Sequence, residues 1–517
     1  MKKRNLQLLI LLLPLCLIFS WFSCTNYPAN VNETLDLAQE NATELERVLK
    51  HYSNTGEKLK FEAACFLIGN MKYKFSYTEN YVDLNGKPIH IDYSKYLNTQ
   101  EVREALDSIG KQIPYIKKSD VIPDYTTIKA NYLIKNIDQA FYLWKNVKWS
   151  KHLSFNDFCE YILPYRVLKE PLNNWRNELY EKYEYVIDSF VNDSVSLACE
   201  FLNSGLNDSI IFWPAYSLSL NQQIVDSIFI SKKGKCPDLT ILSTSCLRAI
   251  GIPVLIDQCF YWGNSGFGHI WNRLIIEDGS TVRFNSIDKT KPPGKYPNDA
   301  KMPKVFRMAY KNQKNSLFNL IKEKENIPTV FLKNNIKDVT EEYTNTADIK
   351  IKLQEPPLKG ETYAYICVFN YGEWKPAYWG KIYKDSATFR NMGKDILYLP
   401  MYYRNKRLIP AAHPFIFKND NSIKTLKPAF NESPTEFKNY TTKFNNSRKT
   451  LTITDSTKLT IKYWDGRWIT TKDYQTTGNS IISKKIPKKC LYIIEPENPD
   501  FYFIRPFIIE KNQQKYY

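Results

Sequence analysis

Two short segments of this 517-residue chain carry residue types capable of covalent chemistry. The first, GKCPDLTILSTSCLRAIGIPV (residues 234–254), sets Cys236 directly before Pro237 and a helically spaced apolar set: Leu239, Leu242, Cys246, Ala249 and Ile250. Proline favours the first helical position, so Cys236 is the expected N-cap, with Gly251 and Pro253 as the expected stop. A thiol there meets the positive end of the helix dipole and unpaired N–H groups, which favour the thiolate and could hold an oxyanion. The second segment, FGHIWNRLIIEDGSTVRFNSID (residues 267–288), reads as two strands, His269–Ile276 and Ser280–Asp288, around Asp278-Gly279. With those two residues as the turn, paired numbers sum to 557 and His269 faces Asp288, Cβ atoms roughly 4.5–5.5 Å apart. A three-residue loop would shift the register by one and put the pair on opposite faces. A dipole-activated cysteine plus a His–carboxylate pair is the minimal set for thiol acyl transfer.

The order Cys, His, Asp and the pieces GKC, RAIGIP and GHIW, within about residues 230–290, resemble the transglutaminase-like superfamily of papain-like enzymes. That resemblance implies an α+β core of helix and antiparallel sheet, with Cys236 as nucleophile, His269 as general base and acid, and Asp288 as orienting group. It also offers Trp213, in IFWPAYS, as an upstream oxyanion donor, with Gln222 and Gln223 as alternatives and a core aromatic as the plain reading of Trp213. FEAACFLIGNM, FNDFCEYILPYRV and NNWR are similar to the helical N-terminal part of multi-domain lipoproteins of the Bacteroides type. Family members cross-link peptides, hydrolyse amides or cleave peptides, so the substrate expected is a peptide or protein. Hydrolysis is preferred over cross-linking, because water is the abundant acceptor and no calcium-loop motif occurs. No cofactor is expected. A zinc site from Cys236, Cys246, Cys259 and His269 would compete, but the ligand-pair spacing is wrong.

The elements that must position these residues divide the chain. Residues 24–190 read as mainly helical, with helices expected over Lys58–Met71 and Asn131–Val147, and one opened by Ser154 and ended by Pro164. Residues 191–325 mix helix and strand and hold the candidate site; Phe260–Trp262 and GNSGFG before His269 suggest a flexible cleft rim. Two β-sandwich modules are expected over 333–425 and 428–517. Their strand runs are Tyr363–Asn370, Tyr378–Tyr383, Ile396–Tyr403, Leu408–Phe417, Thr450–Thr454, Leu459–Trp464 and Tyr502–Glu510. Trp374, Trp379, Trp464 and Trp468 could stack on polysaccharide if exposed, or form the sandwich cores. An inactive transglutaminase-like scaffold or a glycan- or protein-binding surface lipoprotein is the rival reading.

Compartment follows from the N-terminus. Lys2, Lys3 and Arg4 precede an apolar run from Leu6 to Phe22 that ends at Ser23-Cys24. This reads as a secretory signal over residues 1–23, and the small-residue-then-Cys boundary resembles a lipobox. It implies lipidation of Cys24 and a membrane held through that anchor, in the bacterial envelope and at the outer membrane. Of the ten cysteines, the eight beyond Cys24 form no CxxC pair or disulfide framework. The net charge of +17 is spread along the chain as scattered lysines, so no nucleic-acid partner is expected.

Overall fold

The computed structural model describes residues 27–517 except 220, 296–299, 431–434, 439–458, 472–473, 478–479, 484–485, 497–504 and 511–512. The signal segment, Cys24 and the expected Thr450–Thr454 strand therefore lie outside the described residues. The fold is α+β: helices dominate the N-terminal part and antiparallel strands the C-terminal part. Among the described residues, no helix is long and apolar enough to cross a membrane.

In the N-terminal part, helices Ala42–Thr55, Lys58–Gly69, Ala130–Asn146 and Phe155–Tyr161 bury Leu45, Leu49, Leu67, Leu133, Ile137 and Phe158 in one core. The cap expected at Ser154 is present: its Oγ accepts the Asp157 N–H at 3.1 Å. One element departs from the helical expectation. Phe75–Asp83 pairs along its whole length with Tyr115–Pro123 and at its end with Pro88–Ile89. Tyr115–Pro123 is mostly exposed, so this strand carries no apolar alternation and is held by its ladder, not by burial.

The centre is a five-stranded antiparallel sheet in the order Ile336–Asp338, Phe306–Met308, Val254–Cys259, His269–Ile275, Thr281–Phe284. Helix Cys236–Ala249 packs against it and is buried on every side from Asp238 to Ala249. Its apolar positions Leu239, Leu242 and Cys246 join Leu179, Leu202, Leu274 and Phe284 in a core. Burial all round also encloses its hydroxyls, and all but that of Ser245 find partners. Asn272 donates to Thr244 Oγ1 at 2.8 Å, and Thr240 and Ser286 share a hydrogen bond of 3.1 Å. Helix, His269 strand and the turn after Phe284 are thus tied together beneath the candidate site.

Toward the C-terminus, strands between Thr346 and Thr425 form one eight-stranded antiparallel sheet. Along Tyr363–Asn370, Ala364, Ile366 and Val368 enter one core while Tyr365, Cys367 and Phe369 enter another, the period of two that a sheet buried on both faces requires. Leu408–Phe417, expected as one strand, is two, Arg407–Pro410 and Phe415–Phe417. The core around Tyr365 also takes in Phe306 of the central sheet, Trp464 at the end of strand Leu459–Trp464, and Leu491. Trp374, Trp379 and Trp464 are buried in it, and Trp468 packs on Trp464 with ring centroids 5.1 Å apart. These rings are interior packing and not an exposed stacking platform.

Candidate active site

Cys236 is the first residue of its helix, one position later than expected, and Lys235 in extended conformation takes the cap. The carboxylate of Asp238 accepts the Lys235 N–H at 3.2 Å and, on its other oxygen, the Gln223 N–H at 3.0 Å. The Lys235 ammonium donates to the carbonyls of Ser219 and Asn221, 2.7 Å each. These bonds fix the helix entry and the direction of the Cys236 side chain. The expected thiolate does not follow. Burial pushes the Cys236 thiol up to about 11 against the pull of the residue's own backbone N–H, with Asp238 adding to the rise and Lys291 opposing it. Desolvation wins over the helix end because it acts on the whole thiolate charge, whereas the helix end contributes a partial charge.

The hairpin forms, but not in the expected register. Asn272 faces Phe284 and Ile275 faces Thr281, so paired numbers sum to 556 and the loop has three residues. A two-residue I′ turn needs φ > 0 at both central positions. Here only Gly279 is left-handed, at φ 82°, and its N–H closes a turn onto the Ile276 carbonyl at 2.9 Å. Asp278 also accepts the Ser280 N–H at 2.8 Å. The loop is therefore Glu277-Asp278-Gly279, and the one-residue shift places Asn285, not Asp288, on the His269 face.

His269 Nε2 lies 2.7 Å from Asn285 Oδ1, and Asn285 Nδ2 donates to Asp288 Oδ2 at 2.9 Å. Asp288 is thus one residue removed from the imidazole. It reaches Asn285 through the turn at Ser286-Ile287, where Ile287 has φ 52°, an uncommon conformation for a β-branched residue. The preceding helix Val195–Asn207 holds that turn: Asn203 Oδ1 accepts the Ile287 N–H at 2.6 Å and Asn207 donates to the Ile287 carbonyl at 3.2 Å. Burial tends to raise the Asp288 carboxyl, but bonds from Thr290 and Asn285 and the Lys291 charge hold it below the usual range. Burial lowers His269 to about 4, opposed by the Asn285 bond and reinforced by Arg283 and Lys291. At neutral pH the resting pair is therefore a thiol and a neutral imidazole.

Cys236, His269, Asn285 and Asp288 line one cavity of about 210 Å³, walled also by Ile211 and Phe212. Trp213 does not reach it. Its indole N–H donates to the Tyr96 carbonyl at 2.8 Å, and the Lys233 ammonium sits 3.7 Å over its ring. Gln222 accepts the Lys169 N–H at 2.7 Å, and Gln223 donates to the Lys233 carbonyl at 3.0 Å, so both glutamines serve the loop walls.

The rim before His269 is clamped rather than loose. Asn370, fully buried, donates to the carbonyls of Trp262, Ser265 and Phe267 at 3.1, 2.9 and 2.9 Å. Arg505 adds bonds to the carbonyls of Gly263 at 2.8 Å and Ser265 at 3.3 Å. Tyr371 packs edge-on against Phe267 at 4.9 Å; its phenol is pushed to about 12, chiefly by burial and then by Tyr261 and Cys236. Cys65, Cys159, Cys199, Cys246, Cys259, Cys367 and Cys490 are free and buried, whereas Cys236 is only partly so. Among the described residues, no three His, Cys, Asp or Glu side chains converge as a metal site.

No family model matches this chain. No curated protein matches it either. A solved structure named "Putative Cysteine Protease from Cytophaga hutchinsonii" aligns with 21% of this chain and 37% of its own, at 17% identity and a TM-score of 0.18. The match spans little more than a third of that structure.

Proposed function

We propose that this chain is a cysteine-dependent acyl-transfer enzyme, an amidase or peptidase of transglutaminase-like type that cleaves peptide amide bonds. The observation that carries the reading is the line from Asp288 through Asn285 to His269, in the cavity that holds Cys236. An ionised carboxylate only accepts hydrogen bonds, so Asp288 fixes the Asn285 NH₂ toward itself and turns Oδ1 toward the imidazole. Nε2 must then carry the ring proton, and Nδ1 keeps its lone pair for the thiol. In the proposed reaction Nδ1 takes the Cys236 proton as sulfur adds to the amide carbon. The C–N bond then breaks, and the amine leaves with that proton. Water, deprotonated by the same nitrogen, hydrolyses the thioester and restores the thiol. The Cys236 N–H at the helix start is the nearest oxyanion donor by chain position.

Because thiol and imidazole are both neutral at rest, proton transfer accompanies attack instead of preceding it. The same neutrality favours a second reading, a scaffold that keeps the constellation without turnover. Lipid anchoring through Cys24 at the envelope remains part of the proposal and rests on the signal-like N-terminus. The test is incubation of the full chain with a mixed peptide pool, followed by mass spectrometry of the intact protein and its digest. The reading expects a thioester on Cys236 that turns over, absent in Cys236→Ala and scarce in His269→Ala. Peptide cleavage that persists in Cys236→Ala, or no adduct and no cleavage with any peptide, would contradict it.

A further inference from the structure

A second cavity, of about 220 Å³, adjoins the first: Ile270 lines both, and Pro237, next to Cys236, lines this one. Its wall includes Lys74, Lys169, Lys333, Arg166 and Arg248, against the carboxylate of Glu160. Arg166 is already paired with Asp124, and Glu160 is already engaged by the backbone N–H groups of Tyr310 at 2.7 Å and Lys311 at 3.1 Å. The three lysines present their ammonium groups to aromatic faces, and the carboxylates of Glu160 and Asp124 act on Lys74 as well. Lys74 lies 4.4 Å from the Tyr310 ring centre, Lys169 4.5 Å from that of Phe75, and Lys333 5.9 Å from that of Phe260. Arg248 is 5% exposed, and its Nε is buried without a partner.

Lys74 is buried and Lys169 and Lys333 are half-buried, and a charge so placed with no counter-ion in contact loses hydration and regains little. Burial, with repulsion from Lys169, brings Lys333 down to about 8. Burial likewise brings Lys74 down to about 8, despite the pull of Glu160 and Asp124. Two lysines that repel each other, a third on the wall of the same cavity and a guanidinium with a spare donor are the complement of an anion. We propose that this cavity is a binding site for a small oxyanion, a carboxylate or a phosphate, held by Lys74, Lys169, Lys333 and Arg248 beside the candidate nucleophile. Its use as a substrate subsite rests on the acyl-transfer reading; the binding does not.

The experiment is calorimetric titration of the full chain carrying Cys236→Ala, with glutarate and with inorganic phosphate, at constant ionic strength set by chloride. Saturable 1:1 binding is expected, weakened at least tenfold by Lys333→Met and by Lys169→Met. Tighter glutarate identifies the carboxylate of an acidic peptide, and tighter phosphate a free or esterified phosphate. Without anion, Lys333→Met should melt at or above the parent temperature, since it removes a half-buried charge that Lys169 repels. Absence of saturable binding by both anions, equal binding in the variants, or a marked fall in melting temperature for Lys333→Met would overturn the proposal. Catalysis plays no part in these readouts, so loss of the acyl-transfer reading would leave them intact.

Discussion

Replacing Asn285 by Ala separates the observed arrangement from a direct His–Asp pair. The substitution removes the 2.7 Å bond to His269 and leaves Asp288 with its contacts to Thr290 and Lys291. As His269 takes the thiol proton, that bond becomes one to a cation, worth about 1.5–3 kcal/mol. At about 1.36 kcal/mol per factor of ten, Cys236 attack should slow by roughly 10- to 150-fold. Asp288→Ala keeps the Asn285 amide but frees it to flip, which costs less, about 1 kcal/mol or roughly fivefold. Because Asp288 acts through Asn285, the double variant should be scarcely slower than Asn285→Ala alone, a plain failure of additivity. The assay is the second-order rate of iodoacetamide reaction at Cys236 at neutral pH, with thermal melts confirming that each variant folds. Asp288→Ala slower than Asn285→Ala, with additive effects in the double variant, would refute the relay.

Three further outcomes follow from the same geometry and a fourth from the N-terminal sequence. His269 has its folded pKa lowered to about 4 from an ordinary 6.5, so the neutral base persists as pH falls and is lost only near 4. Its stabilising contribution is complete above 6.5 and declines below, and the gap in urea midpoint between the parent and His269→Gln should change between pH 7.5 and 4.5. A Cβ on Gly268 would strike the carbonyls of Phe260 and Cys259; Gly268→Ala should displace His269 and lower Cys236 alkylation, with peptide amide cleavage falling in step. Asn370→Ala removes an NH₂ whose two N–H groups serve three carbonyls, and at about 1 kcal/mol per N–H should cost roughly 2 kcal/mol in chemical denaturation. Cys24→Ser should lose acyl labelling and leave the membrane fraction, and continued labelling would place the boundary elsewhere.

Local signals carried much of this arrangement. The Cys236 helix is legible because proline and apolar spacing act within one turn of each other, and the hairpin because Asp278-Gly279 demands a turn. The register was missed by one: Asp-Gly also suits a loop in which only the glycine is left-handed, and the sequence does not say which. That slip hid Asn285, a residue whose role exists only relative to the strand opposite. The expected thiolate failed for a longer-range reason, since the burial of Cys236 depends on what walls its cavity, including Phe212 and Asn285 from other elements. Asn370 and Arg505 likewise act on the 263–268 loop from over a hundred residues away, where no spacing rule applies. Tyr115–Pro123 escaped notice because an exposed strand leaves no hydrophobic pattern.

The central claim is that Cys236 is a nucleophile served by His269. The measurement that reaches it most directly is time-resolved iodoacetamide labelling of the native full chain, with each cysteine quantified by peptide mass spectrometry. Burial raises the thiols of Cys65, Cys159, Cys199, Cys246, Cys259, Cys367 and Cys490, and Cys236 is the partly exposed one among them. Cys236 should be modified before those seven, and His269→Ala should slow it at least tenfold at neutral pH. Labelling of a buried cysteine ahead of Cys236, or a Cys236 rate indifferent to His269, would contradict that claim.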